Sequence, residues 1–314
     1  MGSSNPGPWD VIGIGANSVD FVNLLPAYPQ PQGTLAKMRI SRQAIFCGGQ
    51  MATALATCAR LGLRSKYIGV TGTDENGRRV RRELAGRDVD MTDAVIRDVP
   101  NQFAVILVDE VSGERIVLWD RDERLALRER EVAPDTVVAT RLLHVDDVDQ
   151  EAAIRVATIG RAAGVPVTSD LDRLTDRTEA LVAAVSIPIF AEHVPPALTG
   201  RTDQEAALRT LRKRHDGLLV VTLGANGAMA LDGDRLVHVP GFAVTVADTT
   251  GAGDVFRGGF IYGLLSAWPV ERTLRFANAA AAASCTRLGA LAGVPTREEA
   301  VELFERGIVR AAGA

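Results

Sequence analysis

Short apolar runs rich in β-branched residues recur along the chain at 10–15, 65–70, 141–145, 165–169 and 217–222. Each has the length and unbroken apolar character of a strand buried on both faces. Between them, apolar residues fall at helical spacing over 51–61, 77–87, 151–163, 203–214 and 254–267, and each stretch ends in or near Gly, Asp or Pro. This alternation predicts an α/β fold with a mainly parallel central sheet and helices on both faces. Two regions interrupt it. The segment 21–47 is rich in Pro and Gln, and in 101–120 the runs 103–108 and 115–119 flank 109–113 as the arms of a β-hairpin. Short strands inserted into an α/β chain can build a small sheet over one edge of the large one, placed to cover a cleft as a lid. Residues 9–314 read as one domain without repeat, low-complexity tract or linker; Met1 to Pro8 are small and polar and are left out of it.

Composition narrows the class. With 46% hydrophobic and 24% charged residues in 314, the chain has the make-up of a soluble globular enzyme. Its net charge of -4 comes from 35 basic and 39 acidic residues interspersed along the chain, so no broad cationic field exists for nucleic acid or an anionic membrane. The densest basic run, Arg78, Arg79, Arg81 and Arg82, lies among acidic neighbours and reads as a solvated helix face. Cys47, Cys58 and Cys285 form no CxxC pair and suit a reducing compartment better than a disulfide framework. The start of the chain lacks the pattern of a signal peptide, and no apolar run approaches the roughly 18 residues of a membrane span. A cytoplasmic location is expected.

The chemistry concentrates at 247–259, where Asp248-Thr-Thr-Gly-Ala-Gly-Asp254 runs from a turn into a helix. Gly251, Ala252 and Gly253 carry little or no side chain, so an anion can approach their backbone N–H groups, and the positive end of the helix favours negative charge there. Asp254 follows in the first turn, beside where a phosphoryl group would lie. Phosphoryl transfer needs chiefly positioning and charge neutralisation, so such a cradle and one proton acceptor suffice. The helix N-terminus is expected to hold the Asp254 pKa low, making it a weak base that acts late in the transfer. Taken alone, the four residues 251–254 would equally suit an ordinary turn with a dipole-complementing Asp. Gly258 and Gly259 add weight, because glycine inside a helix costs about 1 kcal/mol relative to Ala and implies close backbone packing. Other nucleotide motifs fail on their residues. Gly13-Ile-Gly-Ala-Asn-Ser18 lacks the last glycine of GxGxxG, and Gly72 to Gly77 is followed by Arg78-Arg79 where a P-loop needs Lys and Ser or Thr. The histidines at 144, 193, 215 and 238 have no paired metal spacing, and there is no GxSxG elbow.

The run Asp248 to Asp254 closely resembles the second signature of the PfkB, or ribokinase-like, carbohydrate kinases. The resemblance implies a ribokinase-like fold and ATP-dependent phosphorylation of a sugar hydroxyl. Gly251, Ala252 and Gly253 would form the anion hole and Asp254 the catalytic base. Asp248 resembles the residue that helps hold a monovalent cation, K+, in some members. The segment Cys47-Gly-Gly-Gln-Met-Ala-Thr53 through Ala59-Arg-Leu-Gly62 resembles the first signature, in which Gly48 and Gly49 let sugar hydroxyls meet backbone at a helix start. Thr53 stands where the family often has Asn, which alters one substrate contact. Asp20, helped by Asn17, resembles the acid that accepts hydrogen bonds from two sugar hydroxyls, and Asp146 resembles a further substrate-side acid. Thr222, Gly224 and Gly227 resemble the nucleotide loop, and Asn278 a residue of the adenine-side wall. The segment 187–200 departs from the family: in place of the Asn-x-x-Glu motif that organises Mg2+ and phosphate it reads Ala191-Glu-His-Val194, leaving Glu192 to hold Mg2+ through water. This pattern is closer to the ketohexokinase-like and fructokinase-like branches than to ribokinase itself. The lid formed by the hairpin and part of 21–47 is also expected to pair with the lid of a second subunit in a homodimer. A nucleoside acceptor, or a sugar-binding protein on the same fold without turnover, stays open at this point.

Overall fold

The computed structural model describes residues 8–111 and 114–308. Among the described residues the main sheet comprises β1 (Trp9–Ile14), β4 (Ser65–Ile68), β6 (Val89–Asp90), β10 (Thr140–Val145), β11 (Val167–Leu171), β12 (Ile187–Ala191), β13 (Leu219–Thr222), β14 (Ala228–Asp232) and β15 (Arg235–Val239). Their order is β15-β14-β13-β12-β11-β10-β1-β4-β6, parallel from β13 to β6 and antiparallel through β13, β14 and β15. Successive residues of the central strands point to opposite faces. Ile12, Ile14, Leu143 and Val145 pack on one side with Val156 of the helix Gln150–Ala162. Val11 and Leu142 pack on the other with Met51, Leu55, Val255 and Ile261. The mainly parallel sheet covered on both faces is therefore as the alternating pattern requires.

The lid is a second sheet of β2 (Ser18–Leu25), β3 (Arg42–Gly48), β8 (Phe103–Asp109) and β9 (Arg115–Asp120), in the order β3-β2-β8-β9. A two-stranded ribbon of β5 (Val70–Gly72) and β7 (Val95–Arg97) completes the strands. The lid therefore begins at Ser18, three residues before the expected segment, and the expected strand 65–70 is split at Gly69 into β4 and β5. The tip residues 112 and 113 of the expected hairpin lie outside the described residues. Val22, Ala104 and Ile106 form a small lid core with Leu24, Phe46 and Val108. The outer strand β9 is exposed throughout, with Ile116, Val117, Leu118 and Trp119 facing solvent, the last 61% accessible.

Three helices meet behind the site through small residues. Gly258 and Gly259 lie within the helix Ala252–Leu265. A Cβ on Gly258 would lie 2.5 Å from the Cβ of Thr57 in the helix Gln50–Arg60, and one on Gly259 would lie 3.0 Å from the Ala277 Cα in the helix Val270–Ser284. The glycines therefore permit the close packing their helical cost implied. Among the described residues no helix is long and apolar enough to cross a membrane.

Candidate active site

The turn that opens the helix Ala252–Leu265 is fixed by Asp248. Its Oδ1 accepts from the Thr250 N–H at 2.9 Å and the Thr250 hydroxyl at 2.7 Å, and its Oδ2 accepts from the Gly289 N–H at 2.8 Å. Both carboxylate oxygens thus accept from the backbone or from Thr250, and Asp248 braces the turn. Gly251 caps the helix at φ 79°, a left-handed conformation that suits glycine. The Ala252 N–H donates to Thr249 O at 3.2 Å, whereas the first amides of a helix have no partner within it. The Ala252 amide is thus engaged in the turn, which leaves those of Gly251 and Gly253 as the candidate anion donors.

Asp254 stands in the first helical turn. The expectation of a low pKa is corrected here: burial pushes the carboxyl up to about 7, with Asp146 and Asp172 adding to the rise and Arg257 opposing it. Asp146 does not face the substrate side as expected. It is 1% exposed, and its oxygens accept from the Ala16 N–H at 2.6 Å and the Val148 N–H at 3.1 Å. Burial pushes Asp146 up to about 8. It locks the turn between β1 and β2 from below.

The nucleotide-side residues come together around a cavity of about 470 Å³ lined by Thr222, Gly224, Gly227, Ala252, Gly253 and Asn278, with Phe242, Val244 and Phe256 supplying apolar wall. Gly224 and Gly227 have φ of 54° and 89°, and a Cβ on Gly227 would lie 2.1 Å from Val239 O. Only glycine lets the loop pass so close to β15. Asn278 donates its amide to Val239 O at 2.9 Å and to Pro240 O at 3.2 Å, so it also holds the loop after β15 against the cavity. Apolar wall, glycine loop and helix N-terminus are the features an ATP molecule needs.

On the opposite side of the turn, Asp20 lies in β2. Its Oδ1 accepts from the Ser18 hydroxyl at 2.9 Å, and its Oδ2 faces Gly48, where a Cβ would come within 2.4 Å. Burial pushes Asp20 up to about 6, the Ser18 hydroxyl opposing and Asp248 adding to the rise. Gly49 caps the helix Gln50–Arg60 at φ 97°, and a Cβ there would lie 2.5 Å from the Asn17 Cα. Ala290 joins the two halves: its Cβ would be 3.5 Å from a Cβ on Gly48 and 2.7 Å from one on Gly251. The Thr53 hydroxyl is buried without a hydrogen-bond partner, with its methyl group 3.4 Å from a Cβ on Gly251. Asn17 is not free to meet a substrate as expected. Its Nδ2 donates to the Tyr67 hydroxyl and to Val70 O, both at 2.8 Å, and its Oδ1 accepts from Asn101 Nδ2 at 2.9 Å.

The sequence matches the family described as pfkB family carbohydrate kinase over residues 22–297. The chain belongs to the pfkB family of carbohydrate kinases. It is 28% identical over 302 residues to the ribokinase of Haemophilus influenzae, covering 93% of this chain and 97% of that protein. It is 30% identical over 298 residues to the ATP-dependent ribose-1-phosphate kinase of Halopiger xanaduensis, covering 94% and 98%. The fold is also that of Arabidopsis thaliana ribokinase complexed with ribose and ATP, with a TM-score of 0.79 at 22% identity over 95% of this chain and 99% of that one. The protein is therefore a ribokinase-like phosphotransferase with an alcohol group as acceptor.

Two residues of this pfkB-family site were not singled out from the sequence. Asp172, directly after β11, and Arg115, from the exposed lid strand β9, both line the nucleotide cavity, and Arg115 donates to the Thr249 hydroxyl beside the anion-hole turn. Pocket-lining charge at the end of a parallel strand was the signal available for Asp172. Glu192 sits exposed directly after β12, outside that cavity lining, its carbonyl accepting from Gln204 Nε2 at 2.7 Å. Among the described residues no three His, Cys, Asp or Glu side chains group as a metal cage. Mg2+ needs fewer, since it binds through one or two carboxylates, phosphate oxygens and water. Asp172 lies in the cavity lining where such a carboxylate is needed, whereas Glu192 lies outside that lining.

Proposed function

We propose that this kinase transfers the terminal phosphoryl group of ATP to a hydroxyl of a small sugar or sugar derivative, with Asp254 as base. The observation that carries this reading is the position of Asp254. It follows the anion-hole glycines on a turn that borders the nucleotide cavity on one side and, across Ala290, the Gly48 turn and Asp20 on the other. The hydroxyl proton passes to Asp254 while its oxygen forms the new bond to phosphorus. The bond to the bridging oxygen breaks, and ADP leaves with that electron pair. The amides of Gly251 and Gly253 stabilise the equatorial oxygens. Mg2+, held by Asp172 and Glu192 through few direct bonds, would neutralise phosphate charge. A carboxylate with one oxygen left over Gly48 suits a pair of adjacent hydroxyls, which favours a sugar ring at Asp20. The related ribokinase and ribose-1-phosphate kinase support a pentose-like acceptor. Exposed apolar side chains on the edge strand β9 support a lid-to-lid homodimer, and the buried thiols of Cys47 and Cys58 suit a cytoplasmic setting.

The test is ADP release from ATP and Mg2+ over a panel of ketoses, aldoses, sugar acids and nucleosides, run beside Asp254→Asn. One sugar should drive release, and the variant should lose about 10²- to 10⁴-fold in turnover, the usual contribution of a general base. ATP should still raise its melting temperature. Full turnover in the variant would remove Asp254 from the role, and release driven by nucleosides alone would overturn the sugar assignment.

A further inference from the structure

Among the described residues that line the nucleotide cavity, Arg115 is the cation and Asp172 the acid; the rest are neutral. ATP brings several negative charges to such a wall, and the helix N-terminus meets only part of them. Arg115 lies at the phosphate end of the cavity. Its guanidinium donates to the Thr249 hydroxyl, and Thr249 stands two residues before Gly251, its carbonyl accepting from the Ala252 N–H. A hydroxyl is a neutral partner, so this contact leaves the guanidinium its full charge for an anion.

Arg115 does not come from the large sheet. It stands on β9, opposite Val108 of β8, which is in turn opposite Leu24 of β2. Residues directly opposite across strands share a face of the sheet, as do residues two or four apart along a strand. Leu24 follows Asp20 by four, so Arg115 and Asp20 project from the same face of the lid. Seven residue pairs join β2 to β8, six join β8 to β9, and Val22, Ala104 and Ile106 form the core between them. The lid is thus one body that carries an acid on the acceptor side and a cation on the nucleotide side. Packing gives little reason for the cation, because every residue of β9 is exposed. An edge strand does favour charge as protection against pairing, but that purpose does not require the side chain to line the cavity.

We propose that Arg115 is a catalytic residue of the transfer: with ATP in place, its guanidinium leaves the Thr249 hydroxyl and donates to non-bridging oxygens of the terminal phosphoryl group. It stabilises negative charge there and gives up no proton in the step. Because Asp20 belongs to the same sheet, an acceptor that draws the lid down at Asp20 also brings Arg115 onto the phosphoryl group. Water offers Asp20 no pair of hydroxyls, so ATP alone does not assemble the site. This rests on the reading of the chain as a kinase that uses ATP and an alcohol acceptor.

The experiment compares the wild type, Arg115→Met, Arg115→Lys and, as a control, Arg42→Met, a lid arginine opposite Leu24 at the other end of the same cross-strand row. Steady-state ADP release is measured with ATP, Mg2+ and the panel acceptor that drives it. Isothermal titration calorimetry gives Kd for the non-hydrolysable β,γ-imido analogue of ATP and for ADP, each with and without that acceptor. Arg115→Met should lower kcat by about 10²- to 10³-fold, the usual cost of one transition-state donor. Arg115→Lys should fall between it and the wild type, because a point charge replaces the planar fork. In the wild type the acceptor should tighten the analogue by about fivefold or more, and in Arg115→Met this coupling should vanish. Kd for ADP, which lacks the terminal phosphoryl group, should be the same in both, and Arg42→Met should match the wild type throughout. The ligand-free Tm should not move, since Arg115 is exposed. Wild-type kcat in Arg115→Met, coupling that survives in it, or an equal loss for ADP and the analogue would each overturn the role and leave the kinase reading intact. A wild type in which no panel compound drives ADP release would instead remove the kinase reading, and this role with it.

Discussion

Gly251 and Gly164 share one backbone conformation, φ 79°, in different surroundings, and the pair makes a sharp test of the anion-hole turn. A Cβ on Gly164 would meet nothing within 4 Å, whereas one on Gly251 would lie 2.7 Å from the Ala290 Cβ and 2.9 Å from its Cα. Gly164→Ala should therefore cost only the left-handed strain of an L-residue, about 1 to 2 kcal/mol. Gly251→Ala carries the same strain plus overpacking of about 1 to 3 kcal/mol, because backbone on one side or the other has to shift. The sum is roughly 2 to 5 kcal/mol against 1 to 2. At about 2 °C per kcal/mol for a chain of this size, Tm should fall by roughly 4 to 10 °C for Gly251→Ala and by about 2 to 4 °C for Gly164→Ala. Displacing anion-hole donors by even a fraction of an ångström should also lower kcat by about 10²- to 10³-fold at position 251. Gly164→Ala should leave kcat unchanged. Differential scanning fluorimetry and steady-state ADP release measure both. Equal Tm losses in the two variants, with kcat intact in Gly251→Ala, would refute the turn's role.

Asp254 accepts a proton only when ionised, and burial sets its pKa at about 7, so kcat/KM should fall about tenfold per pH unit below 7 and level off above it; an acidic limb near 4 contradicts this. Asp20, Asp254 and Asp146, pushed up to about 6, 7 and 8, bind protons in the folded state at pH values where the unfolded chain has released them. Their contribution to stability is present near pH 4 and is lost as pH rises towards 8, so the unliganded Tm should decline across that window, and a steady rise would speak against their burial. Asp10, held near 2 by Arg64, acts in the opposite sense and only below about 4. Asn17→Ala removes the bonds to the Tyr67 hydroxyl, Val70 O and Asn101, although Tyr67 keeps Gly15 O and Asn101 keeps Gln102 O, and should cost about 1 to 3 kcal/mol, with KM for the sugar raised because the turn before Asp20 loosens; an unchanged Tm would remove its bracing role. Leu118→Asp with Trp119→Asp should convert a lid-joined dimer to the 33.4 kDa monomer in light scattering, and a wild type already monomeric at all concentrations sinks the dimer.

The parallel core was legible because strands buried on both faces are continuous apolar runs, and β1, β10 and β13 lie within about two residues of those runs. The hairpin of β14 and β15 was equally open to reading, through the two-residue turn Gly233-Asp234 between alternating segments. The motif glycines were legible for the same kind of reason, since Gly49, Gly251 and Gly227 each occupy a backbone or a space that a side chain would spoil. What could not be read is partnership at long range. Asn17 looked available for a substrate because nothing near it in the chain shows that Asn101, 84 residues away, and Tyr67, 50 away, consume its amide. Asp146 misled likewise, its partner Ala16 being 130 residues distant. Arg257 left one trace: a cation between Phe256 and Gly258 on a helix buried on most sides has to find an acid.

The correction at Asp254 follows from comparing two magnitudes. A helix N-terminus favours a carboxylate by about 0.3 to 1 kcal/mol, and by about 2 kcal/mol in favourable partly buried geometry. Moving Asp254 from its ordinary 3.8 to about 7 corresponds to about 4 kcal/mol in favour of the protonated form. Burial beside Asp146 and Asp172 therefore has to outweigh both the helix end and Arg257. The motif reveals the helix end, because it is local. It is silent on the other acids, because they arrive from β10 and from the end of β11. The outcome changes the chemistry expected of the site. A carboxylate held near 2 would serve only after the new bond had largely formed, whereas one poised near 7 can take the hydroxyl proton as the oxygen attacks, at the pH where proton affinity and ionised fraction are best matched.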